Sequence, residues 1–331
     1  SFVEHNPGGT LFHELAWKRA VERAFGHRAF YWIARRGDRV TGVLPSFLVS
    51  SPLAGRLLLS VPYAVYGGPL ADDHETRGAL IRVAEETAGR HHAAAIELRT
   101  AEPSSTAAGW RAIDDYVTFR RGLPPNADDV AAWLPRKARA AARQAERRFD
   151  LRTSFDAAEL RTVWRLYTRS MRRLGTINYP FAFFEALAAE TPDRHFVQTV
   201  WCGGVPIAGL LTLLYGEVAM PYFVGVDERR PVYGVNNYLY YHAMRRAVAH
   251  GCRIFDFGRT RRDNAGSFDF KRFHGFEARR LYYKRRALGD GPDVRLTPTN
   301  PRFALARRIW PRLPLVVTRS LGASLSRWIP G

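Results

Sequence analysis

Apolar positions recur at two different periods along this chain, and the alternation between the periods repeats. A helical spacing over Leu11–Phe25, with Leu11, Leu15, Ala16 and Val21 on one face, predicts an amphipathic helix. Two runs of branched and aromatic residues around a glycine turn follow in Arg28–Val49, RAFYWIARRGDRVTGVLPSFLV, and predict a β-hairpin. A strand over Arg56–Val61, a helix over Glu75–Arg90 and a short strand over Ala94–Leu98 complete the series. The same order returns in the second half: helix Glu159–Leu174, hairpin His195–Tyr215, strand Glu217–Gly225, helix Val235–His250 and strand Arg253–Phe257. Shifted by 167 positions, Gly37 falls on Gly204, Gly42 on Gly209 and Leu44 on Leu211. Two similar α+β domains with mixed sheets account for this pattern.

Between the halves, Leu134–Asp150 is rich in Ala and Arg, lacks glycine and reads as a helix with Pro135 in its first turn. Its spacing sets Arg136, Arg139, Arg143 and Arg147 along one face. After Arg279 the chain mixes arginines with Trp310, Leu313, Leu315, Val316, Val317, Leu321, Leu325, Trp328 and Ile329. Pro311 and Pro314 interrupt this stretch, leaving an apolar helix too short to span a bilayer. The expected organisation is an N-terminal domain over 1–133, a basic linking helix over 134–152, a C-terminal domain over 153–290 and a basic amphipathic tail over 291–331.

With 331 residues, 46% hydrophobic and 24% charged, the chain is neither disordered nor fibrous. Two cysteines, Cys202 and Cys252, cannot build a disulfide framework or a four-ligand zinc site, and read as buried apolar residues of a reducing compartment. The net charge of +19 matters because it is uneven. Trp133–Arg152 holds seven basic residues against Glu146 and Asp150, and Arg279–Gly331 holds twelve against Asp290 and Asp293. Such segments attract polyanions: RNA, anionic lipid or pyrophosphate-linked substrates. Only Lys18, Lys137, Lys271 and Lys284 are lysines among 50 basic residues. A lysine kept against that background marks a position where a compact ammonium is needed, and this directs attention to Lys271.

Lys271 belongs to the densest group of chemically active residues, Ile254–Gly275, IFDFGRTRRDNAGSFDFKRFHG. Asp256 ends a strand beside Arg259 and within reach of Lys271. It either holds those cations, takes a proton from an attacking amine, or caps the loop. If Phe268–Lys271 is a strand, Lys271 faces away from Phe268 and Phe270, where its ammonium serves an oxyanion or a phosphate. Asn236, Asn237, Tyr238, Tyr240, Tyr241 and His242 crowd the start of a helix. Helical spacing joins Asn237 to Tyr241 and Tyr238 to His242, one face lining a polar pocket and the other packing. Tyr63, Tyr66, Gly67 and Gly68 suit a loop whose backbone closely approaches another group, or a plain turn. H-E-x-x-H, C-x-x-C, G-x-S-x-G and G-x-x-x-x-G-K patterns are absent, so metal, serine-hydrolase and P-loop chemistries lack support.

The repeated unit resembles the GCN5-related N-acyltransferase (GNAT) fold, whose R/Q-x-x-G-x-G/A loop and helix N-terminus hold the pyrophosphate of coenzyme A. The corresponding stretch here, Arg229–Asn237 or RRPVYGVNN, keeps only Gly234, and the first half offers the acidic ADDHETRG. A donor other than coenzyme A is therefore expected. Over nearly its whole length the sequence is similar to the FemAB family of tandem GNAT-like domains, in particular its branch associated with exosortase/PEP-CTERM systems. The motifs are Val61-Pro-Tyr with Tyr66-Gly67-Gly68, the Leu134-Pro-Arg-Lys-Ala-Arg helix, and Phe255-Asp-Phe-Gly-Arg. Gly266-Ser-Phe-Asp-Phe-Lys, His274-Gly-Phe-Glu, Asn300-Pro-Arg-Phe and Leu313-Pro-Leu add to them.

That resemblance implies an amide-forming acyl or aminoacyl transferase acting on an amine of a cell-envelope precursor, peptidoglycan or exopolysaccharide. It implies no metal and no resident cofactor, with aminoacyl-tRNA or acyl-CoA as donor co-substrate. The family's lysine near the donor and acceptor phosphates matches Lys271, with Asp256 and Arg259 organising the loop around it. Tyr66, Gly67, Asn236, Asn237, Tyr241, Arg136 and Lys137 are the expected substrate contacts. The implied partners are a lipid-linked or polysaccharide acceptor and tRNA, for a cytoplasmic protein. Independently of the resemblance, the arginines, Trp310 and apolar residues of 302–331 suit either a peripheral contact with an anionic surface of the inner membrane or a closing helix packed on the domain. The helical-arm insertion typical of the family's Gram-positive members is missing, since Leu134–Asp150 gives one helix, and this sets tRNA use in question. A CoA-dependent N-acyltransferase of a polysaccharide amino sugar and a non-catalytic membrane-associated binding protein are the alternatives.

Overall fold

The computed structural model describes residues 1–103, 108–289 and 303–331. Its elements begin with α1 (Phe2–His5), α2 (Leu15–Phe25), β1 (Arg28–Arg36), β2 (Arg39–Ser51), β3 (Gly55–Leu59), β4 (Leu70–Ala71), α3 (His74–Arg90), β5 (Ala95–Leu98) and β6 (Arg111–Ile113). Next come β7 (Tyr116–Gly122), α4 (Val130–Trp133), α5 (Arg136–Phe149), β8 (Leu151–Ser154), α6 (Leu160–Arg173), α7 (Phe181–Glu190), β9 (His195–Cys202), β10 (Val205–Tyr215) and β11 (Val218–Val226). The chain ends with α8 (Val235–Ala249), β12 (Ile254–Arg261), α9 (Ala265–Phe273), β13 (Ala278–Arg280), β14 (Tyr283–Ala287), α10 (Ala304–Ile309) and α11 (Leu315–Ser326).

Both hairpins read from the sequence form, β1 with β2 and β9 with β10. Gly37 and Gly204 take the positive φ that their tight turns require, 59° and 73°. Among the described residues the strands build two seven-stranded sheets. The first runs β1-β2-β3-β5-β14-β6 with β4 beside β2, and the second β13-β7-β12-β11-β10-β9-β8. Each contains a parallel pair, β3 with β5 and β11 with β12. A helix crossover, α3 or α8, joins each pair, as parallel strands require. The fold is α+β, two GNAT-like domains with mixed sheets.

Two compact units result, but not as consecutive blocks. The first comprises Ser1–Asp114, Arg280–Leu305 and Ala323–Gly331, the second Asp115–Arg279 and Ala306–Gly322. This differs from the linear division into 1–133, 134–152, 153–290 and 291–331, whose last boundary falls outside the described residues. The cause is strand exchange. β7 comes from the first half of the chain yet lies between β12 and β13 in the second sheet, while β14 follows the second repeat yet lies between β5 and β6 in the first. Nor is α5 a free linker. It buries Ala138, Ala141, Ala142 and Ala145 within the second unit, and a Cβ on Gly234, the residue before α8, would sit 2.6 Å from the Ala141 carbonyl. Small residues let the two helices approach that closely.

In the second unit α6 lies on β10 and β11, and the approach is tightest at Gly225. A Cβ there would stand 2.1 Å from the Tyr167 backbone nitrogen. Phe223 of β11 stacks on Phe184 of α7 at 4.1 Å between ring centroids and meets Tyr167 edge-on. In the first unit Leu15 departs from the expected face, being 55% exposed, because α2 buries Ala16, Trp17, Ala20 and Val21 instead. Leu11 is buried from a separate short turn that precedes the helix.

Buried histidines carry a pH dependence. In the first unit the His13 Nδ1 accepts from the Thr10 amide (3.2 Å) and faces its hydroxyl, while Nε2–H donates to the Gly68 carbonyl (2.9 Å). Both nitrogens are committed in the neutral form, and burial lowers the His13 pKa from 6.5 to about 4. Burial likewise brings His27 and His242 to about 4. Between pH 6.5 and 4 the unfolded chain binds protons that the folded rings refuse, so stability falls as pH drops through this window. For His13 the loss amounts to as much as about 3 kcal/mol. The urea midpoint is expected to fall accordingly, and His13→Gln to flatten part of that slope. Parallel slopes for the two proteins would refute the assignment.

Candidate active site

β11 and β12 start as neighbours and then part. Their parallel register covers only Val218↔Ile254 and Ala219↔Phe255, after which each strand continues without pairing the other. A register shift marks each outer side of the opening, at Leu211/Thr212 of β10 against β11 and at Asp256/Arg259 of β12 against β7. The second shift frees Phe257 and Gly258 from the ladder, and Gly258 takes φ of 66°. A bulge next to a parting pair re-aims side chains and exposes backbone groups.

Two charged side chains serve the backbone groups of that bulge. Asp256 is fully buried, and its Oδ1 accepts from the Gly258 amide (2.8 Å) and the Thr118 hydroxyl (2.9 Å). The Lys271 Nζ donates to the Phe257 carbonyl (3.3 Å) and to the Thr260 hydroxyl. Lys271 is only 7% exposed, and its ammonium also lies 5.4 Å from the ring centroids of Phe119 and Phe257. Burial lowers its pKa to about 8 although the Asp256 charge pulls the other way. Two of the three ammonium donors are thereby engaged.

Phe268–Lys271 is not a strand. It lies in α9, where the Asn264 side chain caps the first turn by accepting from the Ser267 amide (3.2 Å). Lys271 reaches β12 because it occupies the buried side of that helix; the aromatic alternation of FDFK resembles a strand only by coincidence of spacing. Arg259 lies with its guanidinium over the Tyr116 ring, 4.7 Å from the centroid.

On α8 the expected pair of Tyr238 and His242 forms, and Asn237 also meets a residue of another element. Asn237 donates to His274 Nε2 (3.4 Å), whose Nδ1–H in turn donates to the Phe270 carbonyl (2.8 Å), fixing the tautomer. Burial lowers the His274 pKa. Tyr238 and His242 do meet, 4.3 Å apart, but Tyr238 is buried and donates to the Leu151 carbonyl. Tyr241 is half-buried and Asn236 exposed, as are Arg136 and Lys137 at the start of α5. Tyr66 and Gly67 belong to the first unit, where Tyr66 is buried. A Cβ on Gly67 would stand 2.2 Å from Val61 Cγ2 and one on Gly68 2.3 Å from Thr100 Cγ2. The close approach foreseen for this loop is to the protein itself, so these glycines are explained without a ligand.

The stretch corresponding to a pyrophosphate loop is likewise occupied. Asp227, buried, binds Arg169 (2.6 Å) and takes Nε and a terminal nitrogen of Arg229 (2.9 and 2.7 Å). The Arg229 hydrogen bonds, aided by both charges, lower the Asp227 pKa. Gly234 spends its missing Cβ on α5. Three residues of the site were not named as candidates: Thr118, and Thr260 and His274, which lie within the group Ile254–Gly275 but were not given roles. Thr118 arrives through the exchanged strand β7, 138 positions from Asp256, and no local pattern signals it. Among the described residues no cluster of three or more His, Cys, Asp or Glu side chains is arranged to hold a metal ion.

A family model described as Acetyltransferase (GNAT) domain matches residues 130–272, the segment running from α4 into α9. No curated protein sequence matches the chain. Among solved structures it is similar to FemX, with a TM-score of 0.68 and 16% identity over 92% of this chain and 96% of that one. A tandem GNAT protein from the clavulanic acid biosynthesis pathway superposes with a TM-score of 0.55 and 15% identity, covering 88% and 93% of the two chains. The C-terminal domain of a candidate lysylphosphatidylglycerol synthetase from Agrobacterium fabrum gives 0.55 and 14%, covering 96% and 93%. At these identities the likeness is one of fold. Across both of its units, the chain has the fold of a FemX-like tandem GNAT protein.

Proposed function

We propose that this protein is an amide-forming acyl or aminoacyl transferase of FemAB type, acting on an amine of a peptidoglycan or exopolysaccharide precursor. One observation carries the reading: a buried ammonium, Lys271, sits on the bulge that opens β11 from β12 and, among the described residues, keeps one donor uncommitted. In the proposed step the acceptor amine attacks the donor's activated carbonyl, forming the C–N bond. The carbonyl oxygen gathers negative charge, and Lys271 stabilises it as an oxyanion-hole donor. The C–O or C–S bond to the donor then breaks, and the amine's proton leaves with the departing group. Asp256 does not act as the base here; it holds Gly258 and Thr118, and its charge favours the ammonium form of Lys271.

The donor is proposed to be aminoacyl-tRNA, with no resident cofactor. Arg229 is committed to Asp227 and Gly234 to α5, which disfavours a coenzyme A pyrophosphate there. Exposed Arg136 and Lys137 are the proposed contacts for an anionic donor. A lysylphosphatidylglycerol synthetase, by its name, makes an aminoacylated lipid, and the shared fold supports an aminoacyl donor here. The test is incubation with charged tRNA and lipid-linked or sugar-amine precursors, followed by mass spectrometry. An acceptor heavier by one aminoacyl group is expected.

The match to an acetyltransferase domain favours the second reading, a CoA-dependent N-acyltransferase. Saturating acetyl-CoA is expected to leave the thermal midpoint unchanged. A ligand at about 100 times its Kd stabilises by about 2.7 kcal/mol, so a rise of several degrees would instead establish acyl-CoA as the donor.

A further inference from the structure

The C-terminal helix carries its apolar residues on the wrong side for packing. Within the part of α11 that belongs to the second unit, Thr318 and Gly322 are buried while Val316 is 73% exposed and Val317 and Leu321 are exposed with it. These exposed positions recur at i, i+1 and i+5, so they share one face. The small inner residues permit a tight seat. A Cβ on Gly322 would stand 2.4 Å from Asn178 Oδ1, and the Asn178 amide donates to the Arg319 carbonyl (3.2 Å). Arg172 donates to the Leu313 carbonyl just ahead of the helix (2.6 Å), and Arg319 to the Thr168 hydroxyl. The helix is therefore fixed with its apolar stripe outward.

The same segment is cationic in its own sequence. From 303 to 331 it holds Arg307, Arg308, Arg312, Arg319 and Arg327 and no acidic residue. Arg308, Arg312 and Ile309 are exposed just before α11. Exposed arginines a few residues ahead of an exposed apolar stripe match a surface with anionic headgroups above acyl chains. At 12 residues α11 is too short to cross, and among the described residues no helix is long and apolar enough to do so. A second copy is a poor fit, because a two-fold interface would set these arginines against their own equivalents.

We infer that the exposed segment 308–321, carrying Ile309, Val316, Val317 and Leu321 with Arg308 and Arg312, docks the protein in the interface of an anionic phospholipid bilayer. The inference is independent of the transferase reading.

Sedimentation with phosphatidylglycerol-containing vesicles tests it, with pure phosphatidylcholine vesicles as the comparison. The intact chain is expected to bind the anionic vesicles with a steep loss in salt, and the neutral ones far more weakly. The double variant Val316→Ser/Leu321→Ser should bind on the order of 100-fold more weakly, with an unchanged thermal midpoint because both side chains are exposed. Arg308→Gln/Arg312→Gln should bind on the order of 10-fold more weakly and lose part of the salt dependence. Lys271→Met should bind like the parent, which separates this result from any failure of the transfer reaction. Absence of binding to anionic vesicles, undiminished binding by the serine variant, or a solution dimer that the serine variant dissociates would each overturn the proposal.

Discussion

Lys271→Met is expected to lower acyl transfer by at least about 100-fold, the scale of losing one oxyanion donor. Methionine fills the same volume without charge, so the variant should fold. It still leaves the Phe257 carbonyl without its donor, which costs about 1–3 kcal/mol. Relief from burying an ammonium offsets part of that cost. The pH dependence gives the sharper signature. With a folded pKa of about 8 against 10.5 for an ordinary lysine, the folded site releases a proton that the unfolded chain keeps between those values. Stability of the parent relative to Lys271→Met therefore rises from pH 8 to 10.5, by at most about 3 kcal/mol, and is flat below. Over the same window the parent-to-variant rate ratio should fall, because the ammonium is being neutralised. Taking the ratio cancels ionisation of the acceptor amine. A variant that transfers at the parent's rate would reduce Lys271 to a strut for the bulge.

Gly225→Ala should be the most damaging single methyl group in the second unit. Its Cβ would lie 2.1 Å from the Tyr167 nitrogen and 2.2 Å from the Leu166 carbonyl carbon, both backbone atoms of α6. A flexible side chain could swing away; a helix backbone anchored by its own hydrogen bonds cannot. Separating α6 from β11 would also disturb the stack of Phe223 on Phe184. Overpacking of this kind costs about 3 kcal/mol or more. Denaturant unfolding should show a lowered midpoint or no folded baseline, and Gly216→Ala is the control. Gly216 has open space around its Cβ position and pays only for its φ of 52°. Equal losses for the two variants would mean that conformation rather than contact sets the cost.

Much of the scaffold was legible because local signals were strong. The two hairpins announced themselves through alternation around glycine turns, and α3, α5, α6 and α8 through helical spacing, each within a residue or two of the structure. Asp256 and Lys271 stood out by residue type, and both prove to be buried and joined to one bulge. Other readings failed for identifiable reasons. FDFK was ambiguous because four residues cannot distinguish a strand from one turn of helix, and the Asn264 cap decided for the helix. Gly67 was open to a ligand contact or a plain turn because a glycine demanded by a close neighbour reads the same whether that neighbour is a ligand or another part of the chain. For 315–321 the sequence left packing and membrane contact both open, and the structure puts Thr318 and Gly322 in the inward positions.

The sequence by itself determined the repeated secondary structure, the α+β class and the uneven charge, since periodicity, turn chemistry and composition act over a few residues at a time. Tertiary structure alone decided which strand closes which sheet. β7 and β14 each exchange to the other repeat's sheet, because a strand edge accepts any backbone in register whatever its distance along the chain. That exchange brings Thr118 to Asp256, and the parting of β11 from β12 creates the bulge on which Lys271 acts. An ammonium with a lowered pKa is a property of that enclosure, and enclosure exists only once distant segments have met.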